Sequence, residues 1–252
     1  MSYLLQLLVL SIFVLLSACA PVDKNKSHEM PPQALSYYKM ALAHLQGDNS
    51  TQALKELLLA EKYDPRDSSI QEALAQTYQR KRAYSLAEEH FHAAIRLDSE
   101  NPSYHHNLAT LYLDEKEWDK AIASFDTAAQ DLLFDNAHIA HTGKAYAYFK
   151  KQEYSAALNS CNDALAHAPR YARPHFLKSK IYAEMGEVEM QKISLRRTIE
   201  IAPQYMIARY QLAVLLLHDN NIEEAKEQLE TILEFSQTSE VGYAAKKLYR
   251  SL

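Results

Sequence analysis

The feature that most constrains this chain is an internal period of 34 residues. Pro169 and Pro203 are 34 apart and close similar segments, Ala164-Leu-Ala-His-Ala-Pro169 and Thr198-Ile-Glu-Ile-Ala-Pro203; Ala60-Glu-Lys-Tyr-Asp-Pro65 has the same form. With the proline set at the thirty-second place, six units start at residues 34, 68, 102, 138, 172 and 206, in steps of 34, 34, 36, 34 and 34. Places not used to set this register support it. The eighth place holds Ala41, Ala75, Ala109, Ala145, Ser179 and Ala213, and the twentieth holds Ala53, Ala87, Ala121, Ala157, Gln191 and Ala225. Eleven of these twelve residues are Ala or Ser, so one small-residue contact is being repeated along the chain. The twenty-fourth place is mostly bulky, with Leu57, Phe91, Phe125, Cys161, Leu195 and Leu229. The eleventh carries His44, Tyr78, Tyr112, Tyr148, Tyr182 and Leu216.

Only 4 of the 252 residues are Gly, and the abundance of Ala, Leu, Glu, Lys and Gln favours helix throughout. Each unit then reads as two helices of about a dozen residues around a polar turn such as Gly47-Asp48-Asn49 or Asp219-Asn220-Asn221. Ala at the crossing lets two backbones approach, and the large residue four places later fills the space beside it. One such hairpin cannot bury its apolar face alone, so neighbours must stack. The pattern resembles the tetratricopeptide repeat family. That resemblance implies an all-α, right-handed superhelical solenoid of about six repeats, at 34–67, 68–101, 102–137, 138–171, 172–205 and 206–239. Residues 240–252 then form a capping helix over the last repeat. Three departures mark the array: Ser99 at a proline place, two extra residues within 130–136, and Gln191 at a tight contact, where looser packing is expected.

The segment before the repeats has another character. From Met1 to Val22 there is no charged side chain, and Tyr3 to Leu16 is almost wholly apolar before the chain turns small at Ser17-Ala18-Cys19-Ala20. An apolar run followed by small residues is the signature of a secretory signal. Leu16-Ser17-Ala18-Cys19 resembles the bacterial lipobox, which implies removal of residues 1–18 and a covalent lipid on Cys19. The alternative is an uncleaved transmembrane anchor, because no Lys or Arg precedes the apolar run while Lys24 and Lys26 follow it. Residues 19–33 are polar and punctuated by proline, as a tether would be. In the lipoprotein family Ala20, rather than Asp, after the cysteine implies the outer membrane, periplasmic face.

The chemistry expected of such a chain is binding. A net charge of −5 with no Lys/Arg block excludes nucleic acid as a natural partner. His90 and His92 fall on different helix faces, and the zinc-protease helix pattern is absent, so no metal is expected. His105, His141 and His175 share the fourth place of successive repeats, a packing place in the family. Cys161 stands where Phe91 and Phe125 stand and reads as a buried hydrophobe. No nucleophile elbow, phosphate loop or dinucleotide fingerprint occurs, and the repeats leave no room for a catalytic domain. The expectation is therefore no enzyme, no small-molecule substrate and no cofactor beyond the lipid. In the tetratricopeptide family the concave surface is lined by first-helix residues at the second, fifth, ninth, twelfth and thirteenth places. The resemblance places Tyr38, His106, Phe176 and Tyr210 (fifth), Tyr146 (ninth) and Phe149 (twelfth) in a partner-binding groove. The competing reading is that curvature buries some of them against neighbouring repeats.

An exported, lipid-anchored array of six repeats resembles the PilF/PilW family of type IV pilus biogenesis proteins. The residues that carry this most specifically are Asn107-Leu-Ala-Thr-Leu-Tyr-Leu-Asp-Glu-Lys-Glu-Trp118 and the insertion Ala129-Gln-Asp-Leu-Leu-Phe134. The resemblance implies a pilotin, which binds an outer-membrane secretin or pilus assembly protein, or stabilises pili. A periplasmic adaptor that tethers a peptidase or cell-wall enzyme is the alternative.

Overall fold

The computed structural model describes residues 28–131 and 134–252; the signal, Cys19 and the first part of the tether lie outside the described residues. The described residues form thirteen helices and no strand. They pair into six hairpins: α1 (Pro32–Gln46) with α2 (Ser50–Tyr63), α3 (Ser68–Arg80) with α4 (Tyr84–Leu97), and α5 (Pro102–Glu115) with α6 (Trp118–Ala129). Then follow α7 (Ala137–Lys150) with α8 (Tyr154–His167), α9 (Ala172–Glu184) with α10 (Val188–Ile201), and α11 (Met206–His218) with α12 (Ile222–Phe235). Each hairpin packs on the next, and first helices of successive hairpins also touch, α3 on α5, α5 on α7 and α7 on α9. The first helices thus make a continuous inner layer of a solenoid and the second helices an outer one.

Burial follows the register. All six residues at the eighth place and all six at the twenty-fourth are at most 1% exposed. At the twentieth the five alanines are fully buried, whereas Gln191 is partly exposed. A further buried place emerges at the twenty-seventh, small in the first five repeats as Ala60, Ala94, Ala128, Ala164 and Thr198 and large only in the last as Ile232. Phe91 and Phe125 fill the gaps between these close contacts, each burial contributing about 1.5–3 kcal/mol. Helix α10 of the fifth repeat departs from the others. Lys192 is buried beside Gln191 and pairs with Glu189 and Asp219, while Val188, Met190 and Ile193 face solvent.

The turn inside each hairpin is the same motif six times. The fifteenth place is left-handed in every repeat: Asp48, Arg82, Lys116, Gln152 and Asn220 have φ of 55–63°, and Gly186 has φ of 76°. The amide at the sixteenth place then donates to the carbonyl at the eleventh, as from Ala83 to Tyr78, Glu153 to Tyr148 and Glu187 to Tyr182, over 2.9–3.0 Å. This Schellman closure satisfies end carbonyls and reverses the chain toward the second helix. Only one of the six left-handed residues is glycine, so composition hides the motif.

Two junctions depart from the period. The insertion between α6 and α7 delivers Phe134, 8% exposed, into the core cluster that holds Phe91 and Phe125. At the far end α13 (Glu240–Tyr249) covers the last hairpin with Val241, Ala245, Leu248 and Tyr249. The Ser239 hydroxyl caps it by accepting from the Gly242 amide at 3.1 Å. A Cβ on Gly242 would lie 1.9 Å from the Ser236 carbonyl oxygen, so only glycine permits this approach.

Candidate partner-binding groove

The inner layer of first helices bounds two adjoining depressions. One, of about 370 Å³, is polar and lies between the second and third repeats, lined by Gln76, Gln79, Arg80, Asn107, Thr110 and Asp114. The other, of about 360 Å³, spans the third to fifth repeats and shares Thr110 with the first. His106, Phe125, Tyr146, Tyr171, Phe176 and Tyr205 supply its rings.

Phe125 enters from the second helix α6, and the other five rings reach the cavity by two routes. His106, Tyr146 and Phe176 come from the fifth and ninth places of α5, α7 and α9, which face inward because first helices pack through the eighth and eleventh places. Tyr171 and Tyr205 come from the thirty-fourth place, which precedes the next first helix. In earlier repeats this place holds Asp67 and Asn101, whose side chains cap α3 and α5 by accepting from backbone amides. Tyr171 and Tyr205 make no such cap. Losing a cap costs about 1 kcal/mol. In exchange Tyr205 packs on Phe176 with centroids 4.7 Å apart, and Tyr171 meets His138 edge-on at 5.0 Å.

The floor is shaped by a glycine. A Cβ on Gly143 would stand 2.3 Å from Phe125 Cζ, so the Phe125 ring rests directly on the α7 backbone. His106 packs edge-on against Phe125 at 5.4 Å and tilted against Phe134 at 5.9 Å. Burial holds the His106 imidazole below its usual pKa, and its Nδ1 has no hydrogen-bond partner among the described residues. Trp118 approaches Tyr146 edge-on at 6.5 Å from the neighbouring hairpin. Cations stand over these rings: Lys180 Nζ lies 4.8 Å from the Phe176 centroid and Lys150 Nζ 5.5 Å from that of Tyr146. Such stacking contributes about 0.5–1 kcal/mol at exposed sites. Arg173 lines the cavity together with Tyr171, whose influence raises the guanidinium pKa further.

Of the six aromatics expected in the groove, the structure brings His106, Tyr146 and Phe176 into one cavity. Tyr38 stands apart, packed against the core of the first two repeats, with its hydroxyl pKa raised by burial and by nearby Glu72. Phe149 tilts against Tyr154 at 6.4 Å and packs on the cluster around Cys161 and Ile181. Tyr210 packs against the core of the last repeat. Arg173 and Lys180 join the cavity from the second and ninth places of the fifth repeat, inward places at which only aromatics are assigned to the groove from sequence. Tyr171 and Tyr205 join it from capping places, where tyrosine was a readable signal.

Elsewhere, His105, His141 and His175 are half-buried, each with its pKa lowered chiefly by burial. Cys161 is fully buried and free, and burial pushes its thiol up to about 12, far from a nucleophile's range. One group among the described residues brings metal-binding atoms together: His28, Asp64 and Asp67. His28 Nε2 lies 2.6 Å from Asp64 Oδ2 and 3.9 Å from Asp67 Oδ2. Asp67 Oδ1 is already committed to capping α3, so the arrangement is that of a hydrogen-bonded pair docking the tether's end on the first hairpin junction.

A repeated helical hairpin with a recessed inner face defines the class. Residues 38–102, 72–132 and 106–174 match the Tetratricopeptide repeat family in overlapping windows, and residues 172–205 match it again. The chain belongs to the tetratricopeptide repeat family. Within that family it is similar to the type IV pilus assembly protein PilF of Pseudomonas aeruginosa, with 28% identity over 114 residues. This match spans 45% of the chain and 44% of that relative's length. The solved structure of Pseudomonas aeruginosa PilF superposes with a TM-score of 0.69 at 17% identity, covering 86% of this chain and 97% of that one. PilW, described as a widely conserved type IV pilus biogenesis factor, gives 0.73 at 16% identity, covering 86% and 99%. A tetratricopeptide repeat protein from Parabacteroides merdae gives 0.67 at 15% identity, covering 88% and 87%. At these identities the structural likeness establishes the fold. No helix among the described residues is long and apolar enough to cross a membrane.

Proposed function

We propose that this protein is a lipid-anchored scaffold of type IV pilus biogenesis that binds a protein partner in the groove of its third to fifth repeats. The observation that carries the binding claim is the recessed aromatic cavity of about 360 Å³, two of whose three tyrosines stand where earlier repeats have helix caps. Large amphipathic rings bury much area for little conformational entropy, which suits them to anchoring a partner. The pilus assignment is supported by the similarity to PilF and by a shared architecture that extends over 86% of the chain. The partner on this reading is an outer-membrane secretin or pilus assembly protein. The mechanism is stoichiometric: the array holds the partner and the lipid on Cys19 retains both at the periplasmic face of the outer membrane. No catalytic step is involved.

The test is gentle detergent extraction of the intact protein from its native envelope, with mass spectrometry of what co-purifies. Recovery of a secretin or pilus assembly protein supports the proposal. Recovery of a peptidase or cell-wall enzyme instead identifies an adaptor and refutes the pilus role.

A further inference from the structure

The groove is electrostatically at odds with the rest of the chain. The protein carries 32 acidic against 27 basic residues, yet among the described residues the aromatic cavity is lined by Arg173 and Lys180 and by no Asp or Glu. Many other cations are neutralised: Lys144 by Asp126, Lys151 by Asp119 and Glu153, Arg196 by Glu224, and Arg197 by Glu200. Arg173 and Lys180, together with Lys150 beside Tyr146, have no carboxylate within ion-pair distance among the described residues. Lys180 and Lys150 lie over the rings of Phe176 and Tyr146 instead, and Arg173 lines the cavity together with Tyr171. A cation stacked on a ring keeps its full charge, so the cavity presents uncompensated positive potential beside apolar walls.

We propose that this cavity recognises an internal, extended segment of a partner protein in which an Asp or Glu side chain adjoins an aromatic or large aliphatic one. The inference rests on the groove being the partner-binding site. The ring enters between Tyr146, Phe176 and Tyr205, where 360 Å³ accommodates about one large side chain and part of the backbone that bears it. The carboxylate pairs with Arg173, whose planar fork suits a bidentate contact, and with Lys180 alongside. An internal segment is favoured over a chain terminus because the cavity adjoins the polar depression at Thr110, so a chain seated in one has a second recess beside it. The amide nitrogens of Gln76, Gln79 and Asn107 there already donate to Glu72 and Asp114, which leaves their carbonyl oxygens to accept from the amides of a passing peptide backbone.

The probe is a library of N-acetylated, C-amidated octapeptides randomised at two adjacent central positions, presented to the full-length protein in detergent. Trp118, the single tryptophan, stands against Tyr146 and reports filling of the cavity by its emission. Peptides with Asp or Glu beside Phe, Tyr, Trp or Leu should be enriched and should bind at least tenfold more tightly than their Asn or Gln counterparts. That preference should shrink as salt is raised and vanish in Arg173→Gln/Lys180→Gln. Enrichment of basic or uncharged pairs, no retained peptide, or an acid preference that survives the double substitution overturns the inference. Binding only by peptides with a free C-terminal carboxylate overturns the internal-segment claim. The two levels separate in the native co-purification. A partner lost on Tyr146→Ala but retained by Arg173→Gln/Lys180→Gln leaves the groove reading standing and removes the acidic specificity. A partner indifferent to all three substitutions removes both.

Discussion

Gly143→Ala sets two calculable effects against each other. Gly143 lies within α7, where alanine is favoured over glycine by about 1 kcal/mol through backbone entropy. The added Cβ would meet Phe125 Cζ at 2.3 Å and its two Cε atoms at 2.7 and 2.8 Å. An ordinary carbon contact is about 3.5–4.0 Å, so the ring must retreat by more than about 1 Å. Phe125 is 1% exposed and flanked by His106, and a close-packed interior yields little. Overpacking of this kind costs about 1–3 kcal/mol, and three sub-contact distances put this site at the upper end. The net expectation is a loss of about 1–2 kcal/mol, which lowers the melting midpoint by about 2–8 °C in a chain of this size. The space left to the ring is the cavity itself, so partner affinity should fall as well. Circular dichroism melts of variant and parent test the first effect and Trp118 emission the second. A midpoint that rises, as helix propensity alone demands, would refute the argument that Phe125 is seated on the α7 backbone.

Other consequences of the structure are open to direct measurement. Gln152 sits at a φ of 63°, where a side chain costs about 1 kcal/mol; Gln152→Gly should raise stability by up to about that amount, and a lower melting midpoint would contradict the turn assignment. Burial raises the Glu72 carboxyl above its ordinary 4.5 while Asn107 and Gln76 donate to it, so its ionisation opposes folding as pH rises through that value. Glu72→Gln keeps an acceptor and removes the charge; it should melt above the parent well above pH 4.5 and together with it well below, and a uniform offset at all pH values would contradict this. Cys19→Ala should abolish labelling by a radioactive fatty acid and leave an uncleaved precursor, whereas normal processing would remove lipid anchoring from the account.

How much of this was legible in the sequence follows from what repeats and what does not. The hairpin boundaries rest on small residues at helix crossings, and Ala41 to Ala213 or Ala53 to Ala225 show that constraint in every unit but one. The turns were less legible because a left-handed residue closed by a Schellman bond tolerates Arg82, Lys116 and Gln152, none of which announces it. The groove divided along the same line. His106, Tyr146 and Phe176 sit at places that face inward in such an array and on three consecutive repeats, so they share one cavity. Phe149 and Tyr210 occupy places of the same kind, yet local curvature folds them against Tyr154 and the last repeat's core. Tyr171 and Tyr205 lie outside the first helices altogether and enter the cavity only because the chain turns there. The repeat places His106, Tyr146, Arg173, Phe176 and Lys180 on the inner face, and the departures at the two capping places complete the site.

The central claim is that partners bind on the inner face of the third to fifth repeats. Its most direct test compares two full-length variants of matched melting midpoint in the native co-purification. Tyr146→Ala/Tyr205→Ala opens the cavity, whereas Leu58→Ser/Leu86→Ser alters exposed residues of the outer helices α2 and α4. Loss of the partner from the first variant and its retention by the second is the predicted result. Retention by the first with loss from the second would place binding on the outer face and contradict the account.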